Sequence, residues 1–154
     1  MSLQRVKEYL KEYKMDKDII EFAVSSATVE LAAKALNCKE SDIAKTLSFI
    51  VEEKPIVIVV AGDKKIDNAK FKQEFHTKAK MIPFDDVEKL VGHEVGGVCP
   101  FGVNEDVTIY LDKSLKEHEY IYPACGSHNS AIKIDVDKFD KIIDVKKWVD
   151  VCKE

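Results

Sequence analysis

The chain has 154 residues and a formal net charge of −4 at neutral pH, and 45% of its residues are hydrophobic. This length predicts a single domain over residues 1–154 that buries a core without disulfides or a structural metal. No apolar run approaches the roughly 20 residues that span a bilayer, and the N-terminus lacks the apolar stretch of a signal peptide. We therefore expect a cytoplasmic protein with no membrane partner.

The four cysteines, Cys38, Cys99, Cys125 and Cys152, are widely spaced and form no C-x-x-C pair. This spacing favours reduced thiols in a reducing compartment over a disulfide framework. The cysteines are therefore expected to be free.

Positive charge gathers in one segment of an otherwise acidic chain. Residues 62–80 contain six lysines against three acidic residues, a local charge of +3. The segment is either a solvated helix face or a surface that meets phosphate groups.

The first half of the chain predicts two helices, a strand and a hairpin. Apolar spacing predicts a helix over residues 2–13, and alternation predicts a half-buried strand over residues 18–24. Thr28 can cap a second helix that ends near Asn37. Two β-rich runs around a Glu-Glu-Lys-Pro turn predict a hairpin over residues 45–62, whose apolar second strand is covered on both faces.

The second half predicts shorter elements. Asp67 and Asp85 can each cap a short helix. We expect four short strands, at residues 78–84, 107–111, 120–124 and 131–135. A last helix is expected at residues 137–141, and the segment "KKWVDV" follows it. Strands outnumber helices and regular crossovers are missing. The predicted fold is mixed α/β (α+β), with a mainly antiparallel, barrel-like β-sheet flanked by several helices.

Residues 92–102, "GHEVGGVCPFG", contain four of the six glycines and one of the four prolines. Such a loop can turn several backbone N–H groups toward one anion or toward a carbonyl oxygen under attack. It matches neither the P-loop nor the dinucleotide-binding fingerprint. The alternative is a tight turn with no further role.

Two other places carry candidate chemistry. Lys45 heads an apolar strand, where it either is a solvated edge residue or anchors a phosphate or polarises an ester. The late segment "ACGSHNS", residues 124–130, contains His128, which can donate a hydrogen bond or move a proton.

A metal site and a thiol nucleophile remain alternatives. Cys99, Cys125, His128 and His93 have the ligand chemistry of zinc, although they lack the two tight pairs of structural zinc sites. A Cys99/His128 or Cys125/His128 pair is a conceivable nucleophile for acyl transfer. No spacing rule supports either arrangement.

Three segments together resemble the YbaK/ProX family: Lys45-Thr46-Leu47, Gly96 to Gly102, and the glycine loop at Gly126. The resemblance covers residues 22–141. Members of the family are aminoacyl-tRNA deacylases acting in trans, and the same domain is inserted in bacterial prolyl-tRNA synthetases. The resemblance implies a barrel-like sheet flanked by helices, no cofactor, mischarged aminoacyl-tRNA as substrate, and an aminoacyl-tRNA synthetase as an optional partner.

Roles follow from the resemblance position by position. It implies that Lys45 anchors the acceptor end or polarises the ester, and that N–H groups of Gly96, Gly97 and Val98 hold the developing oxyanion. The implied substrate-binding residues are Thr46, Cys99, Pro100, Phe101, Gly102, Gly126, Ser127 and His128. The implied tRNA-binding residues are Lys64, Lys65, Lys70 and Lys72.

The late loop departs from part of the family. Members that clear cysteine carry a Gly-Gly-[Lys/Arg]-Arg-Gly run there, whereas this chain has Cys-Gly-Ser-His-Asn-Ser. The expected substrate is a tRNA-Pro-type molecule mischarged with a small amino acid such as Ala, Ser, Thr or Cys. The alternatives are a non-catalytic binding module of the same fold for an aminoacyl or nucleotide ligand, and a zinc hydrolase.

Overall fold

The computed structural model describes residues 2–154, and over this range the chain forms five α-helices and eight β-strands. None of these helices is long and apolar enough to cross a bilayer. In chain order the elements are α1 (Ser2–Lys11), β1 (Ile20–Glu21), α2 (Val29–Leu36), β2 (Ile43–Val51), β3 (Lys54–Ala61), α3 (Asn68–Phe75), α4 (Phe84–Val91), β4 (Thr108–Asp112), β5 (Tyr120–Pro123), β6 (Ser130–Ala131), β7 (Ile134–Asp135), α5 (Val136–Ile142) and β8 (Val145–Val149).

The centre of the molecule is the hairpin of β2 and β3. The two strands pair antiparallel from Ala44 opposite Ala61 to Val51 opposite Lys54. The two turn residues, at positions 52 and 53, both have positive φ, as in the two-residue turns whose twist matches that of the flanking strands. Residues 56–61 are buried on both faces of the sheet. The predicted hairpin and its doubly covered second strand are confirmed.

Six strands form one curled half-barrel in the order β7-β5-β2-β3-β4-β8, while β1 pairs with β6. The predicted class, a mixed α+β fold with a curled sheet flanked by helices, is confirmed. The sheet contains more parallel pairing than we expected from the sequence, because β2 with β5, β3 with β4, and β4 with β8 are parallel neighbours. Within residues 2–154, β2 and β3 are the only neighbouring strands joined by a two-residue turn, and the longer connections between the other neighbours allow parallel pairing.

The sheet separates two apolar cores. On one face, Val57 and Val59 of β3 belong to the core that also contains residues of α1, α4 and α5. On the other face, Phe49 packs on Phe71 of α3 with ring centroids 4.9 Å apart. Because strand side chains alternate, neighbouring residues of β2 lie on opposite faces of the sheet.

Local capping explains where most helices begin and end. The Thr28 hydroxyl accepts a hydrogen bond from the Leu31 N–H, and Asn37 ends α2 in the left-handed conformation, as predicted. The Asp67 carboxylate caps α3 in the same manner. The predicted Asp85 cap is wrong, since α4 begins two residues earlier than that cap requires, directly after Pro83.

Three strand predictions change in the structure. The strand expected at 18–24 shrinks to β1, and Ile20 and Val24 are exposed because only the two-residue strand β6 pairs with it. Residues 78–84 form a single bridge, from Met81 to Phe49. The strand expected at 131–135 divides into β6 and β7.

Candidate active site

A cleft of about 350 Å³ opens between β2, the N-terminal end of α2 and residues 92–102, which we call the glycine loop. Of the residues expected from the sequence, Lys45, Thr46, Gly96 and Val98 line it. Most of the wall is apolar. The hydroxyl side chains in the wall belong to Ser26, Thr28, Thr46, Ser48, Tyr122 and Ser130.

One edge of β2 is uncovered where it faces the cleft. Its pairing with β5 stops at Ala44. The segment before α4 joins the same edge only from Ser48 onward, where the Ile82 N–H donates to the Ser48 carbonyl at 3.1 Å. Thr46 lies between these two points.

Lys45 and Thr46 both line the cleft. Their side chains lie on opposite faces of β2, because adjacent side chains of a strand alternate. The Lys45 Nζ donates a hydrogen bond to the main-chain oxygen of Lys64 at 2.7 Å. Burial of the side chain lowers the pKa of this ammonium from its usual value. An ammonium has three N–H donors, so the contact with Lys64 leaves donors for a phosphate or a carbonyl oxygen.

The glycine loop is tied to residues 124–130, which we call the late loop. The Gly126 N–H donates to the Gly97 carbonyl at 3.0 Å, so Gly126 supports the glycine loop and does not line the cleft. The Gly97 N–H already donates to the Glu94 carbonyl at 3.0 Å, which corrects its expected place among the oxyanion donors. Within residues 2–154 the N–H groups of Gly96 and Val98 have no partner.

The second half of the glycine loop is buried in the core. Cys99 and Phe101 are fully buried, Pro100 is buried beside them, and the Phe101 ring packs on Phe139. These residues do not line the cleft, and Gly102 does not either. Their expected role as substrate contacts is therefore wrong, and these residues instead anchor the glycine loop in the core. Apolar side chains are more stable there than in a cleft open to water.

His93 completes this anchor. Its Nε2–H donates to the Phe101 carbonyl at 2.6 Å, and the Cys99 sulfur lies 3.6 Å from the same nitrogen. Burial lowers the pKa of the His93 imidazole and raises the pKa of the Cys99 thiol to about 12. Both groups are therefore neutral near pH 7.

The late loop contributes less to the cleft than the sequence suggests. Ser127 donates to the Ser130 hydroxyl at 2.6 Å, and of these two residues only Ser130 lines the cleft. The His128 side chain is 62% exposed and points its Nδ1 toward the Glu94 carboxylate, 3.7 Å away. Its main-chain oxygen accepts a hydrogen bond from the Ser26 N–H at 2.6 Å.

Sequence reasoning missed two parts of the wall. Ala27 and Val29 bring the start of α2 to the cleft, and Met81 and Phe84 stand at its mouth with 57% and 73% of their surface exposed. Their periodicity resembles that of ordinary core residues. No signal short of the fold could have assigned them to this site.

The cleft contains few titratable groups. Lys45 and Tyr122 line it, and within residues 2–154 no carboxylate, imidazole or thiol does. The remaining polar groups are hydroxyls and main-chain N–H and C=O groups. Such donors can stabilise a carbonyl oxygen that gains negative charge.

The proposed zinc ligands do not come together. Within residues 2–154 no group of three or more His, Cys, Asp and Glu residues could hold a metal ion. His93 and Cys99 are in contact inside the core, whereas His128 is exposed beside Glu94. The same separation removes the support for a Cys99/His128 nucleophile pair.

Thiol reactivity provides a direct check of this arrangement. We expect iodoacetamide at pH 8 to modify Cys38 at least about 100-fold faster than the three other cysteines, which are buried. Burial raises the pKa of Cys99 and of Cys152 to about 12, so little thiolate exists. Mass spectrometry of the modified peptides measures each rate, and rapid modification of Cys99 in the folded protein would contradict its burial.

The four lysines expected to meet tRNA are not equivalent. Lys65 and Lys72 are exposed and Lys64 is half-buried. Lys70 is held by the C-terminal segment, because its Nζ lies 3.2 Å from the Asp150 carboxylate and donates to a main-chain oxygen at 2.9 Å. An external phosphate can therefore meet three of the four.

Comparisons with known proteins agree on one family. The family model described as "Aminoacyl-tRNA editing domain" matches residues 24–142. The uncharacterized protein YwhH of Bacillus subtilis (strain 168) is 46% identical over 155 residues, covering 100% of this chain and 99% of that protein. A proline–tRNA ligase of Bacillus cytotoxicus is 27% identical over 125 residues, covering 80% of this chain but 22% of the ligase. The chain thus spans about a fifth of the ligase.

Solved structures show the same fold. A protein described as a proposed trans-editing enzyme for prolyl tRNA synthetase has a TM-score of 0.87 at 23% identity, with 99% of this chain and 98% of that one covered. The hypothetical protein APE2540 has a TM-score of 0.86 at 23% identity, with 97% and 99% covered. The family model spans most of the chain, and the Bacillus subtilis relative matches it from end to end. The chain belongs to the aminoacyl-tRNA editing domain family.

Proposed function

We propose that this protein is a trans-acting deacylase that hydrolyses the ester between a small amino acid and the 3′ end of a mischarged tRNA. The observation that carries the proposal is a cleft of about 350 Å³ lined by Lys45, Gly96 and Val98, with no thiol in its lining within residues 2–154. The N–H groups of Gly96 and Val98 have no backbone partner in that range. Family membership supports the same class of reaction. The proposed substrate is a tRNA-Pro-type molecule carrying Ala, Ser, Thr or Cys, and the similarity to proline–tRNA ligases supports the choice of tRNA.

The cleft supports hydrolysis by water. A water molecule adds to the ester carbonyl carbon, and main-chain N–H groups of Gly96 and Val98 stabilise the oxyanion. The bond from carbon to the ribose oxygen then breaks, and that oxygen takes a proton to leave a free tRNA hydroxyl and an amino acid. Since the cleft offers no side-chain base of the usual kind, the proton passes through water or through hydroxyl or amino groups of the substrate.

Selection of small side chains follows from the walls of the cleft. Ala27, Val29 and Ala32 of the α2 region line the cleft together with Gly96 and Val98 of the glycine loop. Larger side chains are excluded by steric clash, which discriminates better than the loss of one methylene contact does. Ser127 and His128 lie behind this wall and stay candidates for its positioning.

The panel that tests the proposal consists of alanyl, seryl, threonyl and cysteinyl esters of tRNA-Pro, with correctly matched pairs as controls. We expect the protein to hydrolyse one or two mischarged species well above the rate in buffer and to spare the matched pairs. Rates equal to buffer for the whole panel would sink the hydrolase proposal. A non-catalytic binding module for an aminoacyl or nucleotide ligand would then be the candidate to test.

The lysine segment before and on α3 provides a second test. Replacing Lys64, Lys65 and Lys72 together by glutamine is expected to weaken tRNA binding and to reduce the slope of log affinity against log salt by about 2 to 3. Lys70 is left in place because its contacts hold the C-terminal segment. A fluorescence binding titration at several salt concentrations measures the slope.

The matched control for this test removes the same charge elsewhere. Lys138, Lys141 and Lys146 are three exposed lysines on or after α5. Their replacement by glutamine is expected to leave most of the salt slope in place. An equal loss of slope in both triple variants would refute α3 as the docking face and would indicate a general effect of net charge.

A further inference from the structure

The main-chain groups of Thr46 point into the cleft. The Ser48 carbonyl and the Ile50 N–H form hydrogen bonds across the outer edge of β2, at 3.1 and 2.9 Å. Residues two apart in a strand direct their main-chain groups to the same edge, so Thr46 also directs its N–H and C=O outward. Neither group has a backbone partner on that edge within residues 2–154.

A second observation at the same residue is independent of the strand edge. The Thr46 Oγ1 is buried and has no hydrogen-bond partner within residues 2–154. A buried hydroxyl without a partner is destabilising, and native proteins rarely keep one. Three polar atoms of a single residue that lines the cleft thus lack a partner within residues 2–154.

The gap leaves the outward main-chain groups of a single residue, Thr46, unpaired. It runs from Ala44, where β5 leaves, to Ser48, where the next segment joins, which is about 13 Å along a strand. A peptide strand would collide with its neighbours at both ends. An aminoacyl ester has one donor group, its α-ammonium, and one acceptor, its carbonyl oxygen, which is the donor and acceptor pattern of one strand residue.

We infer that the aminoacyl group binds to the uncovered edge of β2 as a one-residue strand, with Thr46 as its partner. The α-ammonium donates to the Thr46 carbonyl and to its Oγ1, while the Thr46 N–H donates to the ester carbonyl oxygen. This is the exchange of two hydrogen bonds between directly opposite residues of an antiparallel pair. The inference rests on the proposed function and names the residue that recognises the amino group.

The arrangement gives Thr46 a part in both recognition and chemistry. Its N–H polarises the ester carbonyl from one side, and the N–H groups of Gly96 and Val98 lie on the loop across the cleft. The carbonyl oxygen therefore gains donors as it becomes an oxyanion. An ester that lacks the α-ammonium loses the contact with the Thr46 carbonyl and hydroxyl but keeps the contact with the N–H.

Binding is tested by NMR with a stable analogue, 3′-deoxy-3′-(L-alanylamino)adenosine, titrated into ¹⁵N-labelled protein. We expect the amide resonance of Thr46 to shift, and the amide of Leu47 to stay in place because it points to β3. The matched analogue with a hydroxyl in place of the α-ammonium is expected to bind more weakly. An unmoved Thr46 amide at the solubility limit of the alanyl analogue would overturn the inference.

Hydrolysis gives a second measurement. Thr46→Val replaces the hydroxyl by a methyl group of similar size and is expected to reduce kcat/KM for the alanyl ester about tenfold. The same variant is expected to change hydrolysis of the α-hydroxyacyl ester, made by deaminating alanyl-tRNA, less than about twofold. Thr46→Ser, which keeps the hydroxyl, is the control. An equal loss for both esters would indicate a structural role and would overturn the part assigned to Oγ1.

The two proposals fail separately. If Gly96 and Val98 amides shift while Thr46 does not, and the tRNA panel is hydrolysed, the deacylase stands and the inference fails. If the Thr46 amide shifts but no ester of the panel is hydrolysed, the binding mode stands and the deacylase fails.

Because Thr46→Val removes an unpartnered polar atom, its melting temperature is expected to equal or exceed that of the wild type.

Discussion

The Gly97→Ala variant is expected to lose deacylation activity by at least about 100-fold and stability by about 3 kcal/mol. A Cβ at this position would lie 2.5 Å from main-chain atoms of both Gly126 and Ser127. Main-chain atoms cannot rotate away as the end of a side chain can, so the two loops must separate. Their separation breaks the hydrogen bond from the Gly126 N–H to the Gly97 carbonyl and moves the donors at Gly96 and Val98.

Gly102→Ala is the matched control within the same loop. Its φ of +64° is left-handed, but a Cβ would lie 3.4 Å from the nearest atom, the flexible Arg5 side chain. We expect a cost of about 1 kcal/mol and near-normal activity. Melting curves measure the stability of the two variants, and single-turnover hydrolysis measures their activity. A Gly97→Ala protein as active as Gly102→Ala would show that the contact between the glycine loop and the late loop is not needed for hydrolysis.

The Lys45→Ala variant is expected to hydrolyse the mischarged ester at least about 100-fold more slowly than the wild type. Lys45 is the one cationic residue that lines the cleft within residues 2–154. Its removal takes away the donor that we propose to anchor the acceptor end or to polarise the ester. Stability is expected to hold or to rise slightly, because the half-buried charge is desolvated, as the lowered pKa of this lysine indicates.

Two further variants separate charge from position. Lys45→Arg keeps a positive charge but places it on a larger, planar guanidinium group, so we expect less than a tenth of wild-type activity. Lys54→Ala removes an exposed lysine at the far end of the same hairpin and is expected to act as the wild type. Wild-type activity in Lys45→Ala, with the hairpin control also normal, would exclude a catalytic role for this ammonium.

The elements that local chemistry determines were predictable from the sequence. Thr28, Asn37 and Asp67 act through hydrogen bonds within a few residues, and the apolar run at 56–61 needs two covered faces in any fold. The weak strands were not predictable. Ile20 alternates with Phe22 as a strand residue does, but the length of a strand depends on its partner, and β6 offers only two residues.

The candidate site was predictable only in part, for a similar reason. Lys45 and the glycine loop could be recognised because their residue types are unusual for their positions. Sequence could not tell which half of the loop faces the cleft, since Cys99 and Phe101 are as compatible with a pocket as with a core. The importance of Thr46 depends on where β5 stops, which is a property of the assembled sheet.

The order of strands in the sheet has a consequence for how the protein folds. The hairpin of β2 and β3 closes a two-residue loop, whereas β4 and β5 must return to it from far along the chain. Closing longer loops costs more entropy, so we expect the hairpin to form first and the junction of Gly97 with Gly126 to form late. Lys45 would then reside on the folding nucleus, while the donors opposite it appear only as the last contacts close. We therefore expect a molecule in which this junction has not yet closed to be inactive, because the late loop does not yet hold the glycine loop in place.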